Sequence, residues 1–562
     1  MKTTLGKIIP LIDSFQDYSR LKSKEDLIAG LLVGIMLVPQ AMGYALLAGL
    51  PPVVGLYAAT LPLVVYALLG TSRHLAIGPV AMISLLVFAT CSQLAKPGSP
   101  EYIQLAVIMA GLSGVILLFL GIIRAGFLIN FISDSVIHGF TSAAAIIIAV
   151  SQIPHISGIK VEGHGAPIVK IVRIIMRLPD SHPTTLVFGI GCILLLIAAN
   201  RFLPRGIGPF VLVILSTLLV FAFRMDHGGL AIVGTIPQGL PSFSLPGLNS
   251  EQLLMLLPGA LSIAFIGYIE SMAVAKLIAS KQGYSVVPNR ELTSLGLANI
   301  VAAIFSGYPV TGGFSRSAVN NDAGAHTGVS SLITALVVLL TLVFLTPLFF
   351  YMPKVTLATI VIISVSKLVD LREGLHLFRV QKTDGLAFYI TFLATLGVGV
   401  EEGIVTGLVF SLGMYLWRSS QPYIAELGWV AEEKIFRDIR RYPDAFRKDT
   451  ILFIRVEGPL FFANLKFLED RISTFIKTRT GLELIVLDLS GVFYLDAVAV
   501  KRLEQLILEN SHRGIETHFS RVRGEIREVL KRAGWQEKQF MEKFHITNIE
   551  LLRLYQKDLD SL

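Results

Sequence analysis

Long apolar runs recur along this 562-residue chain from about residue 27 to residue 418, and then they stop. Most of them are long enough to cross the hydrocarbon core of a bilayer as helices. Only 16% of the residues are charged, whereas soluble proteins carry roughly 25%. The sequence therefore predicts a polytopic α-helical membrane protein, followed by a soluble C-terminal part.

The apolar runs predict fourteen spans, two of them short, at about 27–48, 53–70, 79–95, 103–122, 127–151, 184–200, 208–224, 254–280, 290–306, 315–325, 328–351, 354–367, 383–398 and 400–417. An even number places both termini on one side of the membrane. If that side is the cytoplasm, most Lys and Arg residues of the connections lie inside, and residues 1–26 are a cytoplasmic N-terminal segment. The connection 152–183 is basic on the outside, which either an amphipathic surface helix over Ile168–Leu178 or an odd number of preceding spans would explain.

One stretch inside the apolar region is polar, since Gly307–Val319 reads GYPVTGGFSRSAV. Irregular backbone lies at membrane depth only where protein or a water-filled cavity covers it. Leu75–Pro79 (LAIGP) precedes another apolar run in the same way, so each stretch predicts an extended segment that leads into a short helix. Seven spans precede Glu251 and seven follow it, and the third of each set is broken. This layout predicts a 7+7 inverted repeat with a binding site near the bilayer midplane.

The composition argues against several other functions. The net charge of +8 fits the positive-inside bias of membrane proteins, so we expect no nucleic-acid partner. The two cysteines, Cys91 and Cys192, lie in apolar runs, and no Cys/His cluster has ligand spacing. We therefore expect neither a disulfide framework nor a metal site or cofactor. The sequence offers no nucleophile–base arrangement or phosphate-binding loop, so we expect no enzyme.

The C-terminal part has a different pattern. A charged connector is predicted over 419–447, and strands then alternate with amphipathic helices, which indicates a small α/β domain within 448–562. The predicted strands are Thr450–Val456, Leu484–Leu489 and Ile515–Phe519, and the predicted helices are Leu465–Thr478, Ala497–Asn510 and Gly524–Ala533.

Five motifs together resemble the SulP family of anion transporters: VPQAMGYALLAGLPPVVGLYAA (38–59), AIGPVAMIS (76–84), GYIESMAVAK (267–276), GGFSRSAV (312–319) and LDLSGVFYLDAVAVKRL (487–503). The resemblance covers nearly the whole chain. It implies the same fourteen-span repeat over 27–418 and a STAS domain at the C-terminus. It also implies a core domain of spans 1–4 and 8–11 that moves relative to a gate domain of spans 5–7 and 12–14. A homodimer is a further implication.

The two broken spans predict an anion site. Their short helices would point unpaired N–H groups and positive dipole ends at a common point. The predicted donors are the backbones of Val80 and Ala81 on one side and of Phe314, Ser315 and Arg316 on the other, with the Ser315 hydroxyl as a further donor. Arg316 is expected to bind the anion, to tune the field of the site, or to form a structural salt bridge with a carboxylate.

Gln40 and Tyr44 lie four residues apart and so share one face of the first span. From the residues alone, a Pro-Gln kink with a packed tyrosine is as good an account as a binding site. The resemblance places both side chains in the substrate cavity, with Tyr44 where many relatives have phenylalanine. Val80 stands where relatives carry an aromatic residue, which puts the size selectivity of the pocket in question.

Glu270 lies deep in the eighth span, where a carboxyl group is by default a functional candidate, either as a proton carrier or as a cation ligand. If it is ionised, Arg316 is the expected counter-charge. Some sodium-coupled relatives have an aspartate here and a threonine four residues on, whereas this chain has Val274, so we expect coupling to protons rather than to Na⁺. Glu401 and Glu402 are expected in a solvated outer loop, although a packed gate element would also fit.

The expected function is a proton-coupled sulfate transporter of a bacterial inner membrane. The resemblance leaves a C4-dicarboxylate or bicarbonate symporter, Na⁺ coupling, and an uncoupled exchanger or channel open. In the STAS-like part, Asp496 is followed by Ala497, where bacterial regulators of this fold carry a phosphorylated serine or threonine. We therefore expect no phosphorylation switch at that position.

Overall fold

A computed structural model describes residues 9–14, 18–127, 133–161, 166–203, 207–243, 247, 250–479 and 481–555. The chain divides into two compact units, Met1–Ser411 and Leu412–Leu562. The first unit is built almost entirely from helices, and the second combines a mixed sheet with helices. An α-helical membrane protein with a C-terminal α/β domain is thereby confirmed as the fold class.

The helices that begin in the first unit are α1 Pro10–Ser14, α2 Arg20–Leu47, α3 Pro52–Ala58, α4 Leu61–Leu69, α5 Ala81–Cys91, α6 Pro100–Ile122, α7 Asp134–Ser157, α8 Pro167–Met176, α9 Pro183–Phe202, α10 Gly208–Phe223, α11 Ser250–Gln282, α12 Pro288–Ile304, α13 Phe314–Asp322, α14 Val329–Leu340, α15 Lys354–Ser366, α16 Leu371–Val380, α17 Lys382–Gly397 and α18 Val400–Ser420. Seven helical segments of the described chain are long and apolar enough to cross a membrane, and α5 and α10 are shorter apolar helices. The total of fourteen spans stays a prediction.

Several predicted spans differ in detail from the observed helices. The span predicted at 53–70 is two helices, α3 and α4, and the one predicted at 328–351 continues beyond α14 as a π-helical turn, Thr341–Leu345, and a 3₁₀ turn, Thr346–Phe349. Pro347, which cannot donate a backbone hydrogen bond, lies in that last turn. The first residues of the span predicted at 127–151 fall partly outside the described residues, and α7 begins at Asp134. The predicted amphipathic helix is present as α8.

Close helix contacts in the first unit depend on glycine. A Cβ on Gly114 of α6 would lie 2.8 Å from the carbonyl oxygen of Gly296 in α12, and a Cβ on Gly296 would lie 2.8 Å from the carbonyl oxygen of Gly114. Such contacts between small residues let helix backbones approach closely, as is common in membrane bundles. Helix α14 packs along α2, whereas α15 packs on α7 and α9, and α17 packs on α7.

The two broken spans meet in a small sheet. Strand β1, Ile77–Gly78, precedes α5, and strand β2, Thr311–Gly312, precedes α13. The strands pair antiparallel, with Ile77 opposite Gly312 and Gly78 opposite Thr311. The prediction that each polar stretch is an extended segment leading into a short helix is confirmed.

The second unit holds a six-stranded sheet in the order β4-β3-β5-β6-β7-β8. Its strands are β3 Tyr423–Val430, β4 Ile435–Asp438, β5 Ile451–Glu457, β6 Leu484–Gly491, β7 Glu516–Ser520 and β8 Phe544–His545, and its helices are α19 Leu465–Lys477, α20 Ala497–His512, α21 Gly524–Arg532 and α22 Asn548–Tyr555. Strands β4, β3 and β5 pair antiparallel, and β5 to β8 pair parallel. The strands and helices predicted over 450–533 agree with this structure to within about two residues.

Residues 423–438 were assigned to a charged connector by the sequence pattern, but they form a β-hairpin of the sheet. Three of the four residues between its strands are charged, Glu432, Glu433 and Lys434, and this gives the stretch the composition of a linker. Trp429 pairs with Phe436 across the two strands. The cross-strand aromatic contact supplies the apolar surface that a linker would lack.

Candidate functional site

The site is centred on the starts of α5 and α13. Val80 is the N-cap residue of α5 and Gly313 that of α13, both in extended conformation, and neither has a side chain that caps the helix. The N–H of Gly313 donates to the carbonyl oxygen of Ala76 at 3.0 Å, which extends the β1–β2 pairing to the start of α13. The first N–H groups of both helices thus lack side-chain acceptors and remain available to an anion.

Arg316 lies in the first turn of α13 and is only 1% exposed. Its Nη1 donates to the carbonyl oxygen of Pro79, just before α5, at 2.8 Å. Its Nε and Nη2 are buried and have no hydrogen-bond partner among the described residues. A Cβ on Gly313 would lie 2.7 Å from the guanidinium carbon, so this glycine provides the space that the buried cation occupies.

Two further predicted side chains have buried atoms without partners. These atoms, within the described chain, are Oε2 of Glu270 in α11 and Oε1 of Gln40 in α2. Tyr44, one turn after Gln40, is buried. Arg316 and Glu270 interact electrostatically, but no salt bridge joins them in the part of the chain that the structure describes.

The predicted donors differ in how their side chains lie. Val80 and Ala81 are buried at the start of α5. Phe314 is 51% exposed and Ser315 is also exposed, whereas Arg316 points into the protein. The first turn of α13 therefore has two exposed side chains and a guanidinium that is buried in the protein. Which of these groups touches an anion stays a prediction.

The sequence pattern did not reveal the side chains that hold β2 in place. Ser271, directly after Glu270, accepts a hydrogen bond from the N–H of Gly312 at 2.8 Å and lies 2.6 Å from Oγ1 of Thr311. Thr311 in turn donates to the carbonyl oxygen of Gly267 at 2.5 Å. Because the Thr311 proton is used in that bond, Ser271 is the donor to Thr311. These bonds attach β2 to the helix that carries Glu270.

Other polar side chains fix the backbone around the crossing. The Asn299 amide makes two bonds of 2.9 Å to the backbone of Val310, one to its N–H and one to its carbonyl oxygen. Ser317 accepts from the N–H of Ala76 at 2.9 Å and donates to the carbonyl oxygen of Gly313 at 2.8 Å. In the sequence, Asn299 and Ser317 stand out only as polar residues within or beside apolar runs. Such a run does not show which distant backbone group a polar side chain contacts.

Glu291, in the first turn of α12, is a second buried carboxylate that sequence reasoning passed over. It accepts hydrogen bonds from the Tyr66 hydroxyl at 2.5 Å, from the N–H and hydroxyl of Thr71 at 2.7 and 2.6 Å, and from the N–H of Ser72 at 3.2 Å. Both of its oxygens are occupied, and they connect α12 with the end of α4.

Glu401 and Glu402 lie in the first turn of α18 and not in a loop. The Thr90 hydroxyl of α5 donates to Glu401, which is half-buried, whereas Glu402 is exposed. The expectation of a solvated outer loop is therefore wrong for Glu401, because it contacts the packed end of a broken span.

Comparisons with known proteins agree with this architecture. Residues 24–391 match the sulfate permease family and residues 442–548 match the STAS domain. Sulfate transporter 4.1, chloroplastic, of Arabidopsis thaliana is 40% identical over 543 residues, which cover 93% of this chain and 78% of that protein. A probable sulfate transporter of Mycobacterium tuberculosis is 34% identical over 530 residues, which cover 94% of each chain.

Two solved structures are similar in fold. The murine Solute Carrier 26 family member A9 anion transporter, in the inward-facing state, aligns with a TM-score of 0.89 and 25% identity, covering 96% of this chain and 92% of that one. The transmembrane domain of the cyanobacterium bicarbonate transporter BicA aligns with a TM-score of 0.59 and 20% identity, covering 70% of this chain and 99% of that one.

Proposed function

The chain belongs to the sulfate permease family, and we propose that it is a secondary active transporter that carries sulfate together with protons. Anion transport is the function common to the family that its sequence resembles. Sulfate is the first substrate choice because the two relatives above are named as sulfate transporters. C4-dicarboxylates and bicarbonate are the alternative anions.

The observation that carries this proposal is the group of unpaired polar atoms around the starts of α5 and α13. Oε1 of Gln40, Oε2 of Glu270 and two nitrogens of Arg316 are buried without partners in the described chain. Each such group costs about 1–3 kcal/mol when it is left unsatisfied. The Arg316 nitrogens and the two uncapped helix N-termini are donors that suit a polar anion, whereas the Glu270 and Gln40 oxygens are acceptors that suit a proton or another donor.

The charges around this site favour a divalent anion and a proton together. Arg316 contributes one positive charge, and each helix N-terminus contributes roughly half a charge. With Glu270 ionised the sum is about +1, and with Glu270 protonated it is about +2. Protonation therefore brings the site to the charge that balances sulfate. A monovalent anion is already balanced with Glu270 ionised, so it needs no accompanying proton.

Movement of a core against a gate is the proposed transport step. The core consists of spans 1–4 and 8–11, here α2–α6 and α11–α14, and the gate of spans 5–7 and 12–14. The packing of α6 on α12 and of α2 on α14 supports the first group, and the packing of α7 on α15 and α17 supports the second. The two half-helices both belong to the core, so the bound anion would travel with it.

The setting of the transporter is part of the same proposal. We place it as a homodimer in a bacterial inner membrane, with both termini in the cytoplasm. The distribution of Lys and Arg residues between the predicted connections supports this orientation. The transporter domain would cover 27–418, and residues 419–447 would connect it to a STAS domain within 448–562.

Glu270→Gln tests the coupling directly. Purified protein in proteoliposomes is expected to accumulate labelled sulfate when a pH gradient is imposed. The variant should lose this accumulation by about tenfold or more, which corresponds to about 1.4 kcal/mol. It should still exchange labelled for unlabelled sulfate, because exchange needs no net proton movement. Glu251→Gln, at the exposed start of the same helix, is the matched control and should behave like the unaltered protein.

Three results would contradict parts of the proposal. Unchanged pH-driven accumulation by Glu270→Gln would exclude Glu270 as the proton carrier. Sulfate flux that ignores the pH gradient in the unaltered protein would indicate an uncoupled exchanger or channel, and dependence on a Na⁺ gradient would indicate sodium coupling. Competition by succinate, fumarate, bicarbonate and chloride in the exchange assay ranks the anions, and sulfate must come first if the substrate assignment is right.

A further inference from the structure

A small basic depression lies in the second unit, at the edge of the sheet formed by β3, β4 and β5. Its volume is about 170 Å³, and it is lined by Tyr423, Arg437, Asp438, Arg441, Tyr442, Arg455 and Glu457. Three of these seven side chains are arginines. Like charges repel when they are brought together, so such a cluster is stable where acids or a bound anion balance it.

The acids near the depression balance only part of the cluster. Arg437 donates to Glu433 through Nε at 3.0 Å and Nη2 at 2.7 Å, and its guanidinium lies 5.3 Å from the centre of the Tyr442 ring. Arg455 pairs with Glu457 at 2.7 Å. Arg437 is thus held in one orientation by a carboxylate and an aromatic face.

Three residues of the lining supply further hydrogen-bond donors. Nε of Arg455 is buried and has no hydrogen-bond acceptor among the described residues. Arg441 is exposed, and its guanidinium makes no side-chain hydrogen bond in the described chain, although its charge acts on Asp438. The Tyr442 hydroxyl is a third donor on the lining. These groups come from two segments of the chain, β5 and the turn after β4.

Asp438, the other acid on the lining, already has partners of its own. It is buried and accepts from the Tyr423 hydroxyl and from the N–H of Arg440, the latter at 2.9 Å. Burial favours its neutral form, but the Tyr423 bond, the backbone bond and the charges of Arg440 and Arg441 outweigh burial and hold the pKa of Asp438 below its usual value. Both oxygens of Asp438 therefore already accept hydrogen bonds from Tyr423 and Arg440.

We propose that this depression binds a tetrahedral oxyanion, either free sulfate or phosphate or the phosphate of a phospholipid head group. Guanidinium groups bind such oxyanions through paired N–H bonds. Donors from two segments of the chain can bond to several oxygens of one such anion. The site is separate from the one proposed between α5 and α13, and it does not depend on transport.

The lipid source has one argument from the chain itself. Tyr423 follows Ser420, the last residue of α18, by three residues, and both belong to the second unit. Three residues of extended chain span at most about 10 Å. If α18 ends at the membrane surface, head groups come within reach of the depression.

Amide hydrogen exchange followed by mass spectrometry tests the proposed oxyanion site on the full-length protein, because the method measures exchange separately for each segment of the chain. In detergent micelles, sodium sulfate or sodium phosphate should slow amide exchange in 439–443 relative to sodium chloride at equal ionic strength. Half of the maximal protection should be reached at an anion concentration of ~1 mM. In nanodiscs, phosphatidylglycerol added to phosphatidylcholine should slow exchange in the same segment. The first result identifies a free oxyanion as the ligand, and the second a lipid.

Arg441→Gln should raise the half-maximal concentration about tenfold, or remove the lipid effect. Its side chain is exposed, so the substitution leaves the fold in place, and unchanged exchange in β6 verifies this. Arg440→Gln makes the same charge change one residue away, outside the lining, and should keep the protection. Protection by neither source, or equal protection in the Arg441 and Arg440 variants, overturns the proposal.

Discussion

The first unit contains two buried glutamates whose surroundings are opposite. Glu291 accepts four hydrogen bonds from Tyr66, Thr71 and Ser72, whereas Glu270 has a buried oxygen with no partner in the described chain. Both lie in helices of a membrane protein, where an acid is costly. Glu291, with all four bonds, connects two helices. Glu270 lies near Arg316, which also has buried nitrogens without a partner in the described chain. Burial alone therefore does not distinguish these two acids, but the number of hydrogen bonds that each accepts does.

The largest expected effect concerns the bonded acid. Glu291→Gln should lower the free energy of unfolding by about 3 kcal/mol, because four donors would lose a charged acceptor and the amide NH₂ would face at least one of them. Glu270→Gln removes no hydrogen bond at its buried oxygen but removes a negative charge that acts on the buried Arg316, so it should cost less, about 1 kcal/mol. Thermal unfolding in detergent, followed by size-exclusion chromatography, compares the two variants. Equal losses of stability would remove the distinction between the two glutamates.

A middle-sized effect is expected at Ser271, which lies next to Glu270 but is fully bonded. Ser271→Ala leaves the N–H of Gly312 without an acceptor and should cost about 1–2 kcal/mol of stability. Since β2 carries the start of α13, sulfate uptake in proteoliposomes should fall as well. Ser262→Ala in the same helix removes a hydroxyl whose bond among the described residues is to the carbonyl oxygen of Pro258, and it should have little effect. Equal behaviour of the two alanine variants would show that β2 needs no support from α11.

The smallest expected effect on stability concerns a pair of partly buried titratable side chains in the second unit, His518 and His545. Nδ1 of His518 in β7 lies 2.8 Å from Nε2 of His545 in β8. Burial, and then the charge of a protonated His545, lower the pKa of His518, and the Glu516 carboxylate opposes this. Burial also lowers the pKa of His545, against the charge of Glu550. The unfolded chain therefore binds protons at higher pH than the folded one does.

The contribution of this pair to stability should be complete above a pH of about 6.5 and should decrease as the pH falls below that value. Protection of the amides in 544–547, taken as the intrinsic exchange rate divided by the observed rate, should therefore decrease as the pH falls from 7.5 to 5. His518→Gln should flatten this dependence, and His512→Gln, at the exposed end of α20, should not. The same pH dependence in both variants would assign the effect to other groups.

The positions of the two half-helices could be predicted from sequence because glycine and proline act locally. Gly307–Val319 and Leu75–Pro79 each interrupt an apolar run, and this placed β1 and β2 correctly. Their polar supports could not be predicted. Asn299 bonds to Val310, eleven residues away, but Glu291 bonds to Thr71, 220 residues away. A hydrophobic pattern contains no information on which distant donor faces a buried acceptor.

The second unit shows the same limit in another form. Its buried strand Leu484–Gly491 and its helices follow a regular apolar pattern, so they were found. The hairpin of β3 and β4 was missed because its charged turn outweighed Trp429 and Phe436 in the composition. Trp429 and Phe436 indicate a hairpin only if they are known to face each other, and that depends on the pairing register of the strands.

The pairing of β1 with β2 also constrains how the protein is made. Ile77 and Gly312 are 312 − 77 = 235 residues apart in the chain. At typical rates of synthesis, the ribosome needs on the order of 10–50 s to extend the chain from the first strand to the second. During that interval the backbone of β1 and the start of α5 have no partner strand within the bilayer. The first half of the chain must therefore wait for the second, and newly inserted chains offer a time window in which insertion factors or quality-control proteases can recognise an unfinished protein.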